Sequence, residues 1–246
     1  MSSNGLNSVR IPVGWWIAYD PTPPTPFVGG SLQALDNAFT WAQKYGMKVI
    51  IDLHAVQGSQ NGLDHSATRD GYLEWGDSNI QDTLKVIDFL AARYSKNPAL
   101  GAIELLNEPW APGVTLDTLK KYYRAGYDAV RNHSPNVHFY SVYEPEFDKF
   151  NVEENIQYIH KQRASSLSTM KASNGLPLTF VGEWVAEFKQ PPTGSSSEDN
   201  YRRFAKAQIE VYGNATFGWA YWSYRCSQPH WSLRHMIDSG IINLRK

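Results

Sequence analysis

An α/β barrel of the (β/α)8 type, with parallel strands inside and helices outside, is the fold class this sequence predicts. Three observations carry that prediction. Short apolar runs alternate with helical-period segments from one end of the 246 residues to the other. The polar residues worth noticing fall at the C-terminal ends of those runs: Arg10, His54, Asn107, Glu108, His138, Glu183 and Trp222. No glycine-rich dinucleotide loop follows any run, which favours a ring of strand ends over the crevice of an open doubly wound sheet.

The elements follow in order. Residues 8–13 (SVRIPV) read as a strand, and 31–46 as a helix capped by Ser31 and ended by Gly46. The continuous apolar stretch KVIIDLHA, residues 48–55, predicts a strand covered on both faces. A Gly/Asn/Asp-rich loop leads into a helix over 77–95, then the strand AIELLNEP over 102–109 and a helix over 115–134. NVHFYSVY (136–143) is a short strand and 151–170 a helix. PLTFVGEW (177–184) is a strand, followed by a polar loop, the helix 200–213, and a last strand in ATFGWAYWSY (215–224). No repeat or linker interrupts this rhythm, so a single domain over 1–246 is expected.

Composition removes several classes of function. Net charge is −1 and no Lys/Arg run exceeds two residues, which gives no nucleic-acid surface. No apolar run is long enough to span a membrane, so none is expected as a partner. Cys226 is the sole cysteine, which excludes an internal disulfide and a zinc–cysteine cluster. No basic segment followed by an apolar one opens the chain, and no signal peptide is expected. Nine Trp and fourteen Tyr exceed what a core alone needs, and flat aromatic faces stack on sugars, bases or apolar ligands.

LLNEPW (105–110) and FVGEWV (180–185) each end an apolar run in a glutamate. A carboxylate there is costly unless it is paired or has chemistry to perform. Two glutamates converging at a barrel mouth suit glycosidic bond cleavage, one giving a proton to the leaving oxygen and the other stabilising or attacking the anomeric carbon. The plainer reading makes each a strand-end residue facing solvent or a helix-end cation. His54 and His138 stand in no H-x-H or H-x-x-x-H pair, so no metal is expected. No G-x-S-x-G is present, against an α/β-hydrolase. Trp110, Trp184 and Trp231 read as cleft walls.

The stretches VRIPVGWW, DLHAVQGSQNGLDHS, LLNEP, VHFY, FVGEW and FGWAYWSYR, in this order, resemble glycoside hydrolase family 5, in its exo-β-1,3-glucanase branch. The resemblance implies Glu108 as general acid/base and Glu183 as nucleophile of a retaining enzyme that releases glucose from β-1,3-glucan without a cofactor. Beside those roles, Asn107 can reach a substrate 2-hydroxyl, and Arg10 can pair with the nucleophile. Tyr140, two residues after His138 and on the same side of its strand, can hydrogen-bond Glu183. His54 and His138 would contact the sugar or orient the acid, with Trp222 beneath it and Trp231 at the wall. The 58–66 loop would close the cleft into a pocket suited to terminal glucose.

The resemblance also implies eight strands, and six are readable. The first βα unit and an internal strand–helix unit have no counterpart. An incomplete barrel is therefore expected, acting as a monomer on β-glucan or oligosaccharide, with an extracellular or cell-wall location for a full-length form. Two other readings stay open: an inactive or glycan-binding relative that keeps the pocket, and an endo-acting glucanase or mannanase.

Overall fold

The computed structural model describes residues 1–130, 136–143, 145–170, 178–189 and 197–244. The chain divides into two compact units, Met1–His133 and Ser134–Lys246.

The first unit is a three-stranded parallel sheet, β1 (Ser8–Gly14), β2 (Lys48–Ala55) and β3 (Leu100–Glu104), in that order. Parallel neighbours need long crossovers, supplied by α1 (Ser31–Lys44) and α2 (Ile80–Tyr94), and α3 (Leu116–Val130) follows β3. On β2, Val49, Ile50, Ile51, Asp52 and Leu53 are all buried, as expected of a strand covered on both faces. Leu35 and Phe39 of α1 and Ile87 and Leu90 of α2 join the same core. Phe39 stacks on Tyr94 at 4.1 Å between ring centroids, which ties the two helices together.

Two boundaries differ from the sequence expectation. Ser31 is the first residue of α1 rather than its cap; Gly30 precedes it at φ 107°, and the capping acceptor comes from Asp20. Asp20 Oδ2 accepts from the Leu32 N–H at 2.6 Å and from the Ser31 hydroxyl, and Oδ1 accepts from the Gly30 N–H. A side chain ten residues upstream thus does the work usually given to the adjacent residue. The helix ends as predicted: Gly46 takes φ 64° and the Met47 N–H reaches back to the Ala42 carbonyl at 2.8 Å. The second difference is β3, which stops at Glu104. Beyond it only the Asn107 N–H continues the pairing, to the Leu53 carbonyl at 3.1 Å, and the chain turns.

The second unit repeats the plan with β4 (Asn136–Ser141), β5 (Phe180–Phe188) and β6 (Gly218–Tyr221), again parallel and in sequence order. Between β4 and β5 a helix runs from α4 (Val152–Tyr158) through a π-turn (Ile159–Arg163) into α5 (Ala164–Thr169). Asn151 caps it, its side chain accepting from the Glu154 N–H at 3.0 Å while Glu154 accepts from the Asn151 N–H. α6 (Glu198–Tyr212) joins β5 to β6. β5 is the most buried strand and carries Trp184, which is fully enclosed and meets Tyr212 and Tyr221 edge-on. Trp184 is therefore core and not a cleft wall: alternation along β5 turns it away from the side that Glu183 faces. A short helix the sequence reading missed, α7 (Leu233–Asp238), begins where Ser232 accepts from the His235 N–H. Its six residues are too few for periodicity to reveal.

Asp20→Ala should remove the α1 cap and lower the unfolding free energy by about 1–2 kcal/mol, measured by urea denaturation.

Candidate active site

Arg10 is the third residue of β1 rather than a strand-end residue as the sequence suggested, and its side chain is buried among acidic partners. Its Nε and Nη2 donate to the two oxygens of Glu104 at 2.7 and 2.9 Å. Nη2 also donates to Asn107 Oδ1 at 2.9 Å and lies 3.1 Å from Asp52 Oδ2. The register of β2 and β3 sets Asp52 opposite Glu104. Like charges directly opposite are destabilising, so the planar guanidinium between them is what makes this register tolerable. Asp52 Oδ2 also meets His54 Nδ1 at 2.5 Å, which makes Nδ1 the protonated nitrogen and turns Nε2 toward the Asn107 amide, 3.5 Å away. Arg10, His54 and Asn107 thus form one connected group, and the partners shown for Arg10 are Glu104, Asp52 and Asn107, where the sequence reading paired it with Glu183. Asp52 and Glu104, which hold it, were missed; the signal was present, since Asp52 lies two residues before His54 and therefore on the same side of β2.

The turn carrying Glu108 is fixed from two sides. Behind it, the Tyr122 hydroxyl donates to the Leu105 carbonyl at 2.6 Å, and burial pushes the Tyr122 phenol well above its ordinary range, so it stays a neutral donor. In front, the loop after β2 reaches over. Gln60, fully buried, donates through Nε2 to the carbonyls of His54 and Asn107, both at 2.8 Å, and its own carbonyl accepts from the Trp110 N–H. Asn61 Nδ2 donates to the Glu108 carbonyl at 3.1 Å and lies 2.9 Å from His65 Nε2. His65 Nε2 lies 3.2 Å from Glu108 Oε2. Glu108 has φ 41°, in the left-handed region that costs a non-glycine residue about 1–3 kcal/mol. Gly62, at φ 72°, lets the loop close, because a Cβ there would stand 2.8 Å from the Gly71 carbonyl oxygen. The sequence marked this loop as shaping the cleft but did not single out Gln60, Asn61 or His65.

In the second unit Glu183 lies buried on β5, and Tyr140 on β4 donates its hydroxyl to Glu183 Oε2 at 2.6 Å, the contact expected from the sequence. Trp231, in a short turn over Pro229–Trp231, stacks on Tyr140 with centroids 5.8 Å apart and planes 24° from parallel. Behind Tyr140, the buried Arg163 of the π-turn donates to its carbonyl at 2.7 Å. Trp222 follows β6, its N–H donating to the Trp184 carbonyl at 2.9 Å. His230, next to Trp231, is held by Glu187 at 2.9 Å; neither was singled out in the sequence. His138 stands opposite Glu183 in the β4–β5 register, and its side chain lies outside the described residues. Among the described residues no group of three His, Cys, Asp or Glu is placed to hold a metal ion, and no helix is long and apolar enough to cross a membrane.

The sequence model of the cellulase family, glycosyl hydrolase family 5, matches residues 1–138. A probable glucan 1,3-beta-glucosidase A of Aspergillus terreus is 30% identical over 98% of this chain and 72% of its own length. The glucan 1,3-beta-glucosidase of Blumeria graminis is 31% identical over 98% of this chain and 71% of its own. Among solved structures, rutinosidase from Aspergillus niger superposes with a TM-score of 0.77 at 20% identity, covering 98% of this chain and 80% of that one. The Pseudomonas stutzeri endoglucanase Cel5A, in complex with cellobiose, gives 0.63 at 15% identity, covering all of this chain and 83% of that one. These neighbours are (β/α)8 barrels, which have eight strands, and the described residues of this chain hold six parallel strands in two three-stranded sheets.

Replacing Arg10 by Met should leave Asp52 and Glu104 facing each other without their counter-charge. A loss of about 3–5 kcal/mol in urea denaturation is the expected result.

Proposed function

This chain belongs to glycosyl hydrolase family 5, and on that premise we propose that it is a retaining glucan 1,3-β-glucosidase, releasing glucose from β-1,3-glucan or its oligosaccharides. Glu183 is the nucleophile and Glu108 the general acid/base. The observation that carries this division of labour is the contrast between the two carboxylates. Glu183 is buried and accepts a short hydrogen bond from the Tyr140 hydroxyl, which holds its carboxyl group in a fixed orientation for attack. Glu108 is half-buried on a turn, with His65 Nε2 3.2 Å from its Oε2, and is the more open of the two to exchange of a proton. A buried, held carboxyl group suits the nucleophile, and a more open one suits the group that exchanges a proton.

In the first step Glu183 forms a bond to the anomeric carbon as the glycosidic bond breaks, and Glu108 gives its proton to the departing oxygen. In the second, water bonds to the anomeric carbon as its bond to Glu183 breaks, freeing the Glu183 carboxylate, and the water's proton passes to Glu108. Asn107, held by Arg10, serves the 2-hydroxyl, whose hydrogen bond strengthens as positive charge develops on the ring. His54 and His138 contact the sugar, with Trp222 beneath it and Trp231 at the wall. The chain acts as a single catalytic domain and a monomer, and the full-length protein acts outside the cell or in the cell wall.

Incubation with 2-deoxy-2-fluoro-β-glucosyl fluoride should add one fluoroglucosyl mass, mapping to Glu183 in intact and peptide mass spectra. Glu183→Gln should lose about 10³-fold or more in kcat with an unchanged melting curve. An unlabelled wild-type protein that still binds laminari-oligosaccharides would instead mark a glycan-binding relative. Release of long oligosaccharides from a glucan chain would mark endo action.

A further inference from the structure

We infer that Glu187 is a positioning residue: through His230 it sets the orientation of Trp231, and with it the affinity of that wall for sugar. The inference rests on the reading of Trp231 as a cleft wall. Glu187 lies on β5, four residues after Glu183. Its carboxylate is engaged at both oxygens. Oε1 accepts from the Tyr201 hydroxyl of α6 at 3.0 Å and from the Phe188 N–H at 3.2 Å, and Oε2 meets His230 Nδ1 at 2.9 Å. The Tyr201 and His230 rings lie with centroids 3.6 Å apart, so a carboxylate and an aromatic ring together hold the imidazole. The main chain of His230 is held from the same stretch of β5. The Ala186 N–H donates to the Tyr221 oxygen at 3.0 Å, and the Tyr221 hydroxyl donates to the His230 carbonyl. Burial pushes the Tyr221 phenol above its ordinary range, which keeps it a donor.

Trp231 follows His230 directly, at the end of the turn Pro229–Trp231. Its own main chain is bonded within the segment after β6: the N–H donates to the Gln228 carbonyl at 3.2 Å, and the carbonyl accepts from the Ser223 N–H at 2.8 Å. His230 is what carries this turn to β5. One planar peptide joins the two residues, so a fixed ring and carbonyl on His230 fix the direction in which the Trp231 side chain leaves the backbone. The indole then meets Tyr140 at 5.8 Å and Tyr143 at 6.4 Å between centroids. Tyr140 is held separately, by its place on β4 and by Arg163 on its carbonyl, and it keeps its own bond to Glu183. Loosening His230 therefore frees the wall ring and leaves the Tyr140–Glu183 contact in place. Losing a contact made equally to bound substrate and to the transition state raises KM and spares kcat. A merely structural role for Glu187 predicts the opposite, fewer active molecules with the same KM.

The test measures laminaribiose hydrolysis by wild type, Glu187→Ala, Glu187→Gln, Trp231→Leu and the double variant Glu187→Ala/Trp231→Leu. Glu187→Ala should raise KM about threefold to tenfold while kcat stays within about twofold. Glu187→Gln sets an amide oxygen and an NH2 where the two carboxylate oxygens stood, so the Tyr201 hydroxyl and either neutral tautomer of His230 keep a partner, and most of the loss should be recovered. In the Trp231→Leu background the Glu187→Ala change should raise KM no further. A fall in kcat at unchanged KM, no change in either, or KM increases that multiply in the double variant overturn the inference. A second measurement does not depend on turnover. In protein labelled with 5-fluorotryptophan, the 19F resonance missing from Trp231→Phe should shift or broaden in Glu187→Ala and return in Glu187→Gln; a resonance unmoved in Glu187→Ala overturns the inference. Should wild type leave laminaribiose uncleaved, the hydrolase reading fails while this resonance still decides whether Glu187 sets Trp231.

Discussion

The Arg10 guanidinium is the interaction on which the polar end of the first sheet depends. Parallel pairing of β2 with β3 brings Asp52 and Glu104 opposite each other in an environment closed to water. Only a rigid, planar, permanently charged group can bond both oxygens of one carboxylate and still reach the other together with an amide. From that one contact the order passes outward. Asp52 sets the tautomer of His54, Arg10 fixes the face that Asn107 presents, and Gln60 locks the loop onto the carbonyls that follow each of them. The network is specific in geometry more than generous in energy, since desolvating its charges offsets much of their attraction.

A different device serves Tyr140 in the second unit. Arg163 is also buried, yet its described contacts are aromatic faces and neutral oxygens: the rings of Phe139, Phe147 and Tyr158 between 5.3 and 5.6 Å, the Tyr212 hydroxyl and the Tyr140 carbonyl. The π-turn adds a residue to the helical turn that ends at Arg163, and such turns often accompany functional positions. One buried cation is embedded in carboxylates, the other in π-electron density, and both fix a polar group at a strand end.

The regular elements were legible in the sequence because burial imposes a period. The unbroken apolar run of β2 and the Gly46 terminus of α1 are found where the residues put them. The two glutamates of the proposed pair stood out too, since a glutamate closing an apolar run violates the pattern around it. What stayed hidden depends on contacts between residues far apart in the chain. No local rule assigns Asp20 as the cap of a helix beginning at Ser31, and none tells that Gln60 will lie flat across two strand ends. Trp184 was misjudged for the converse reason: its neighbour Glu183 suggested a cleft, and only the alternation of β5 reveals that adjacent side chains part company there.

The left-handed backbone of Glu108 bears on how such a site evolves. At this position glycine would be the conformationally easy residue, reached from glutamate by a single nucleotide change in either of its codons. Selection for a robust fold alone would drift toward that glycine and discard the acid in the same step. On the proposed acid/base role, a lineage that keeps glutamate here is one in which turnover outweighs thermal robustness, and relatives that have lost turnover should be recognisable by a relaxed residue at this turn before any other part of the site decays.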